Sequence, residues 1–165
     1  MPAMTALANL TLTGSQASIS FTGFASSFRD LYIVATGNTP GNNAYYQVRY
    51  NGDTGANYSI QQQYGAGSAA AGGYQAFGLT SITPTGSASN NELGSTRLAL
   101  FALDIFDYSQ TNKRKVAISR SASSGNSINS WVGTWHNTAA ITSIVVFPSA
   151  GSFAAGNTFT LYGVV

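Results

Sequence analysis

The feature that most constrains this chain is a two-residue alternation of apolar and polar side chains, visible over residues 17–22, 44–50 and 141–147. Successive side chains of a β-strand point to opposite faces, so this period predicts strands with one buried face. No stretch shows the apolar spacing of an amphipathic helix. We therefore predict an all-β fold, a single-domain antiparallel β-sandwich with a jelly-roll-like arrangement of about 8–10 strands. The domain is expected to span residues 1–165, with residues 1–10 as an N-terminal arm.

Two hairpins are predicted from the order of strands and turn residues. Asn51-Gly52 supplies the positive φ values of a tight turn, and so is expected to join residues 44–50 to a returning strand at 57–64. At the end of the chain, residues 141–147 and 158–165 are expected to pair across a connecting loop.

Segments rich in Gly, Ala, Ser and Asn are predicted to be loops, because few of their side chains are large enough to build a core. These segments are residues 65–73, 83–95 and 121–126, with a short strand expected at 74–79.

The most apolar strand is predicted over residues 97–106, with residues 113–120 as its partner. Its two faces are both apolar: Leu98, Leu100 and Ala102 on one side, and Ala99, Phe101, Leu103 and Ile105 on the other. Such a pattern indicates a central strand covered on both sides, or one whose outer side contacts a neighbouring subunit. A further strand at 128–136 carries two tryptophans that face the same way.

Charge is scarce, and this favours assembly or binding over catalysis. Only 7% of residues are charged, against about 25% in an average domain, and the net charge is +2. A surface with few long charged side chains loses little side-chain entropy when it is covered. Basic residues cluster only at Lys113-Arg114-Lys115, so nucleic-acid binding is not expected.

Cysteine is absent, which fits folding in a reducing cytosol. The first seven residues lack the basic and apolar segments of a secretory signal, and no apolar run is long enough to span a bilayer. Neither a secretory leader nor membrane association is therefore expected.

No catalytic, metal-binding or cofactor-binding constellation is predicted. His136 is the one histidine, and we interpret it as a strand-end residue hydrogen-bonded to backbone. Asp104 and Asp107, three apart on a strand, are expected to point to opposite faces and so not to form a catalytic pair. Residues 51–55 superficially resemble a calcium loop but lack its alternating acids, which favours a simple turn.

Carbohydrate binding is the alternative that the composition leaves open. Flat aromatic rings with amide side chains suit sugar faces and hydroxyls. The candidate glycan-binding residues are Tyr45, Tyr58, Tyr64 and Tyr74.

Several segments together resemble the carboxyl end of small β-rich structural proteins of tailed bacteriophages. The resemblance is carried by residues 135–144, by Phe147, by residues 153–163 with their Phe-Ala-Ala-Gly and Phe-x-Leu-Tyr-Gly blocks, by 50–58, by 107–109 and by 119–120. It implies a virion protein, variously tail, fibre or capsid-associated, made in the host cytoplasm, and it supplies no catalytic residues.

Members of this kind often form terminal modules of longer tail proteins, whereas here the module is nearly the whole chain. That favours a capsid decoration (cement) protein that binds the major capsid protein, with a homotrimer as the favoured oligomer and a glycan-binding tail module as the alternative. The candidate subunit or capsid contacts are Met4, Leu7, Leu10, Leu98 and Leu100.

Overall fold

The computed structural model describes residues 3–41, 44–66, 70–85, 93–124 and 127–165. These residues form eleven strands, and no helix is assigned among them. The strands are β1 (Met4–Thr11), β2 (Ile19–Thr22), β3 (Asp30–Gly37), β4 (Tyr46–Tyr50), β5 (Tyr58–Ala66), β6 (Ala70–Leu79), β7 (Ala99–Ile105), β8 (Lys115–Ser123), β9 (Ser127–Trp135), β10 (Ser143–Pro148) and β11 (Thr158–Val164). No helix with the length and hydrophobicity of a membrane span occurs in the described part of the chain.

The strands build two antiparallel sheets. The larger has eight strands in the order β1-β11-β3-β7-β8-β9-β5-β6, and the smaller has three in the order β2-β10-β4. The predicted all-β antiparallel sandwich is thus confirmed.

The core lies between the sheets, and large aromatic side chains occupy much of it. The Tyr46 ring of the smaller sheet meets the Phe101 ring of the larger sheet edge-on, with centroids 4.8 Å apart. Phe153 and Phe159 pack against the same tyrosine at 5.5 and 6.4 Å. Edge-to-face contacts of this kind add to the stability that comes from burying apolar area.

Strand β7 has the two faces predicted for residues 97–106. Ala99, Phe101, Leu103 and Ile105 are buried in the core, and the alternate residues point away from the smaller sheet. β7 lies between β3 and β8 near the centre of the larger sheet, and β8 is its predicted partner.

Both predicted hairpins are wrong in their pairing. The Asn51-Gly52 turn forms, but β4 pairs with β10 in the smaller sheet whereas β5 pairs with β6 and β9 in the larger one. β10 and β11 are likewise in different sheets. Two strands with alternating apolar and polar residues, joined by a turn, can pair with each other as a hairpin or belong to different sheets. Each strand buries its apolar face in both arrangements, so the sequence pattern does not distinguish them.

Two loop predictions also change, those for residues 65–73 and 121–126, of which residues 67–69 and 125–126 lie outside the described residues. Residues 65–66 and 70–73 belong to β5 and β6, and β8 continues to Ser123. β6 is at the sheet edge and has one partner, so its small residues need little side-chain packing to hold it in place. Of the predicted loop 83–95, residues 86–92 lie outside the described residues; Leu93 and Gly94 make isolated bridges to Ala44 and Arg97.

The segment expected to be an N-terminal arm is mostly a sheet strand. Residues 4–11 form β1, which pairs with β11 along its length apart from an irregularity between Ala6 and Ala8. Its edge position explains the weak sequence signal, since an edge strand buries less on both sides.

Gly133 provides the space that Ile82 occupies in the core between Trp131 and Trp135. A β-carbon at this position would lie 2.5 Å from Cγ2 of Ile82. We expect Gly133→Val to lower the free energy of unfolding by about 1–3 kcal/mol, the usual cost of overpacking. Chemical denaturation measures this value. Gly14→Ala is the control, since nothing lies within 4 Å of its added β-carbon; equal losses in the two variants would show that contact with Ile82 is not the cause.

Candidate binding face

The larger sheet leaves its outer face, the face turned away from the smaller sheet, without a covering layer of described strands. On and next to β7, β8 and β9 this face carries several exposed apolar side chains, with Arg120 and Ser130 in the row between them. Six exposed side chains, between 39% and 68% accessible, form what we call the apolar patch: Leu98, Leu100, Val116, Ile118, Ile128 and Val132. Exposed apolar side chains gathered on one face of a sheet are characteristic of interaction sites.

Asp104 and Arg120 are the charged residues among the outward-facing positions of these three strands. Partial burial raises the pKa of Asp104 above its ordinary value; Arg120 opposes the shift and Asp30 adds to it. The outer face of β7–β9 is therefore close to electrically neutral.

Next to the apolar patch, β5, β6 and β9 carry a polar groove with a volume of about 410 Å³. We call it the amide groove, and its outward-facing lining residues are Ser59, Gln61, Gln63, Gln75, Phe77, Ser130 and Thr134, with Val132 shared with the apolar patch. Strand register places these side chains in rows across the sheet: Gln61 lies between Val132 and Gln75, and Gln63 lies between Ser130 and Gly73.

The amide groove was not predicted from the sequence. The signal for it was the run Gln61-Gln62-Gln63, because alternation puts the first and third on one face and the second on the other. Gln62 is buried and donates to Asn129, whereas Gln61 and Gln63 are exposed.

His136 directly follows β9 and lies beside the amide groove. Its Nε2 is 2.8 Å from Oγ of Ser59, and its Nδ1 is 3.0 Å from Nη1 of Arg114. A guanidinium only donates hydrogen bonds, so Nδ1 is the acceptor and Nε2 carries the proton of the neutral ring. Nε2 then donates a hydrogen bond to the Ser59 hydroxyl. A histidine that activates a serine nucleophile would instead accept the hydroxyl proton. The ring's partners are side chains, not the backbone expected from the sequence.

Acidic side chains in the described part of the chain make structural contacts, as Asp107 and Asp30 show. Asp107 lies in the turn after β7 with φ of 48° and binds Lys113 at 2.9 Å. Asp30 binds Arg29 at 2.7 Å and accepts a bond from the backbone N–H of Asp107. Within the described ranges no group of three or more His, Cys, Asp or Glu is placed to hold a metal ion. Glu92 lies outside the described residues.

The segment that resembled a calcium loop is a turn, as expected. Asn51 and Gly52 have φ of 52° and 66°, and the Asp53 N–H donates to the Tyr50 carbonyl. The Asp53 carboxylate accepts bonds from Nε1 of Trp135 at 2.7 Å, from Asn57 and from the Gly55 N–H. These contacts tie the turn to β9.

The hydrogen bond from Trp135 is the main reason that the pKa of Asp53 lies below its ordinary value of 3.8; bonds from Asn57 and Gly55 add to it. The folded state keeps this carboxylate charged to lower pH than the unfolded chain does. Its contribution to stability is therefore present above pH 3.8 and is lost as the pH falls through the lowered pKa.

Four tyrosines were predicted to bind glycans, and the prediction is wrong for Tyr58. Its ring is fully buried and stacks on Trp135, so it cannot meet a ligand. Tyr64 and Tyr74 are on the neighbouring strands β5 and β6, and Tyr45 is half-buried next to β4 in the other sheet. The structure does not bring these three tyrosines into one site.

The residues predicted to contact other subunits or the capsid lie in different parts of the larger sheet. Leu98 and Leu100 belong to the apolar patch, whereas Met4 and Leu10 are exposed on β1 at the far edge of the sheet. Leu7 is half-buried and packs against the core.

Of the basic cluster Lys113-Arg114-Lys115, the third residue is buried. Lys115 is 1% exposed, and its Nζ donates to the carbonyls of Gln110, Lys113 and Thr138 at 2.6, 2.9 and 3.1 Å. Burial lowers the pKa of Lys115, with Asp107 opposing the shift.

Comparison with known proteins yields no family. No family model matches the chain, and no curated protein matches it. Among solved structures, the alginate lyase Aly36B is 11% identical with a TM-score of 0.37, covering 94% of this chain and 77% of its own. The galectin LEC-6 of Caenorhabditis elegans is 8% identical with a TM-score of 0.36, covering 95% of each chain. Similarities of this size carry no argument about function.

Proposed function

We propose that this chain is a non-enzymatic structural subunit of a bacteriophage particle, a capsid decoration protein that binds the major capsid protein through its apolar patch. The observation that supports this most directly is the patch itself. Six large apolar side chains lie on or next to three adjacent strands, each at least 39% exposed. Burying such a surface against a partner supplies roughly 25 cal/mol for each Å² removed from water.

The partner is proposed to be another virion protein because two features agree. The resemblance of residues 135–163 to phage structural proteins implies a place in the particle, and the low charge of the chain suits a surface that stays covered. The near-neutral patch also offers little electrostatic steering, which matters less to a subunit that binds a dense lattice of sites. The proposed oligomer is a homotrimer.

Replacing two central residues of the patch with aspartate tests the docking. We expect the double variant Leu100→Asp/Ile118→Asp to bind phage heads about 100-fold more weakly than wild type, because two carboxylates would have to lose their hydration. The assay is co-sedimentation of the purified protein with particles that lack it. Light scattering of the same samples gives the oligomeric state.

Val165→Asp is the control, since Val165 is an exposed apolar residue outside the apolar patch and outside the predicted contact residues. Unchanged melting temperatures for both proteins would show that neither variant fails by unfolding. The proposal is overturned if wild type binds only to tails or does not bind particles, or if Leu100→Asp/Ile118→Asp binds heads as tightly as Val165→Asp does.

A further inference from the structure

We infer that the amide groove is a binding site for a short oligosaccharide. The site adjoins the apolar patch, sharing Val132 with it, and of the four tyrosines predicted from the sequence only Tyr64 lies at its end, in the lining of a neighbouring cavity. It rests on a set of unpaired amides, an exposed aromatic ring and a rigid sheet floor, whether the subunit belongs to the head or to the tail of the particle.

The amides are the first feature of the groove that suits a sugar. The side chains of Gln61, Gln63 and Gln75 are exposed and form no hydrogen bond with the described protein. Each amide offers two donors and an acceptor, and each sugar hydroxyl both donates and accepts. Ser130 adds an exposed hydroxyl to the same surface, and Ser59, which is buried and bonded to His136, lines its base. Several neutral hydrogen-bonding groups on one face suit a polyhydroxylated ligand.

The aromatic ring is the second feature. Phe77 is 71% exposed, more than any other large apolar residue among those described. It lines the amide groove beside Ser59 and Gln75. An exposed ring next to polar groups matches the two surfaces of a pyranose, whose C–H face packs on an aromatic ring while its hydroxyls reach the amides.

The rigid floor is the third feature. β5 is hydrogen-bonded to β9 on one side and to β6 on the other, so the backbone that carries Gln61 and Gln63 is fixed on both sides. Gly73, opposite Gln63, leaves the groove open at that point. Side chains held on paired strands lose little backbone entropy when a ligand binds, which favours affinity.

The fourth feature is the charge at one end of the groove. A second cavity of about 560 Å³, lined by Gln63, Gly65, Arg120, Ile128 and Ser130, continues from the groove toward β8. Register aligns Arg120, Ser130, Gln63 and Gly73 in one row. With strands about 4.8 Å apart, that row is about 14 Å long, which accommodates a short oligosaccharide. No carboxylate lines either cavity among the described residues, although Asp104 on the same face interacts with Arg120. Sugars with a carboxylate near Arg120 should therefore bind moderately better than neutral sugars, and neutral sugars better than sugars with a free amine.

The test is a glycan array probed with the full chain, followed by calorimetry on the selected sugars. The array carries neutral, uronate- or sialate-containing and free-amine oligosaccharides. We expect retention of carboxylate-containing oligosaccharides, weaker retention of neutral ones and none of the amines. Gln61→Ala/Gln63→Ala should weaken binding at least 10-fold. Phe77→Leu, which keeps the apolar volume but loses the ring, should weaken it several-fold, and Phe77→Trp should restore it.

Two control variants show whether sugar binds at the groove and whether Arg120 sets the preference for acidic sugars. Gln16→Ala removes an exposed glutamine that lies outside the groove and should bind sugar as wild type does. Arg120→Gln should remove the preference for acidic over neutral sugars while keeping binding to neutral ones. The inference is overturned if no glycan is retained by wild type, or if sugar binding survives both Gln61→Ala/Gln63→Ala and Phe77→Leu.

The outcome is independent of capsid docking. Leu98→Asp should still bind sugar, because Leu98 belongs to the apolar patch but lines neither cavity, and the groove variants should still bind phage heads. A protein that binds sugar but no particle would leave the groove in place and refute the decoration role, whereas the converse would refute the groove alone.

Discussion

Trp135→Ala is expected to lower the free energy of unfolding by about 3–5 kcal/mol, the range for removing a large aromatic side chain from a core. The indole is 1% exposed, lies stacked 6.4 Å from the Tyr58 ring and meets the Tyr50 ring edge-on at 5.8 Å. It also donates to Asp53. Urea denaturation followed by tyrosine and tryptophan fluorescence measures the change.

Trp135→Ala should weaken the packing between β4 and β5, because Trp135 contacts Tyr50 of β4 and Tyr58 of β5, on either side of the turn that joins the two sheets. A double-mutant cycle with Asp53→Ala isolates that coupling. Asp53→Ala alone leaves the buried indole N–H without its acceptor, at a cost of about 1–3 kcal/mol. The two losses should be less than additive, since removing either partner removes the same hydrogen bond.

Phe77→Ala is the matched control for Trp135→Ala, since its ring is 71% exposed. We expect a change within about 0.5 kcal/mol, as for most surface substitutions. Comparable losses in the two variants, or fully additive losses in the cycle, would contradict the role assigned to Trp135.

Lys115→Met is the second large effect, expected to destabilise the fold by about 2–3 kcal/mol. Methionine has a similar length but cannot donate to the three carbonyls that Nζ contacts. Those carbonyls belong to the turn after β7 and to the loop after β9, so both segments should loosen together. Thermal unfolding gives the stability, and hydrogen exchange of residues 107–113 and 137–139 reports the local effect.

Lys113→Met provides the comparison for this prediction. Lys113 is two residues away and its side chain is 51% exposed, with an ion pair to Asp107. Exposed pairs of this kind contribute about 0–1 kcal/mol. If Lys113→Met destabilised the chain as much as Lys115→Met, the buried ammonium would not be the anchor of the two loops.

The two lysines also show what a sequence pattern cannot resolve. Lys113, Arg114 and Lys115 look alike as a basic cluster, and only the packing of two loops around Nζ distinguishes the third. The same holds for the tyrosines: Tyr58 and Tyr74 are both in strands, yet one is fully buried and the other is 44% exposed. Burial depends on which sheet lies opposite, and that information is not local.

Local alternation was sufficient for several features. It placed Leu100 and Phe101 on opposite faces of β7, and it oriented Trp131 and Trp135 to the same side. These conclusions hold because the direction of a strand side chain depends on its parity along the chain. The same parity puts Leu98 and Leu100 on one side of the strand, and the sheet arrangement then leaves that side exposed. Both belong to the apolar patch on which the proposed docking rests.

From the sequence alone came the all-β class, the antiparallel sandwich and the in-or-out direction of side chains within strands. The tertiary structure decided which strands share a sheet, as the separation of β10 from β11 shows. It also assembled the amide groove from β5, β6 and β9, which are distant in sequence but adjacent in the sheet. The physical reason is that the side to which a side chain points is set by the local backbone of its strand. Which strands pair is set by contacts between distant parts of the chain, and several sandwich topologies satisfy the same local pattern.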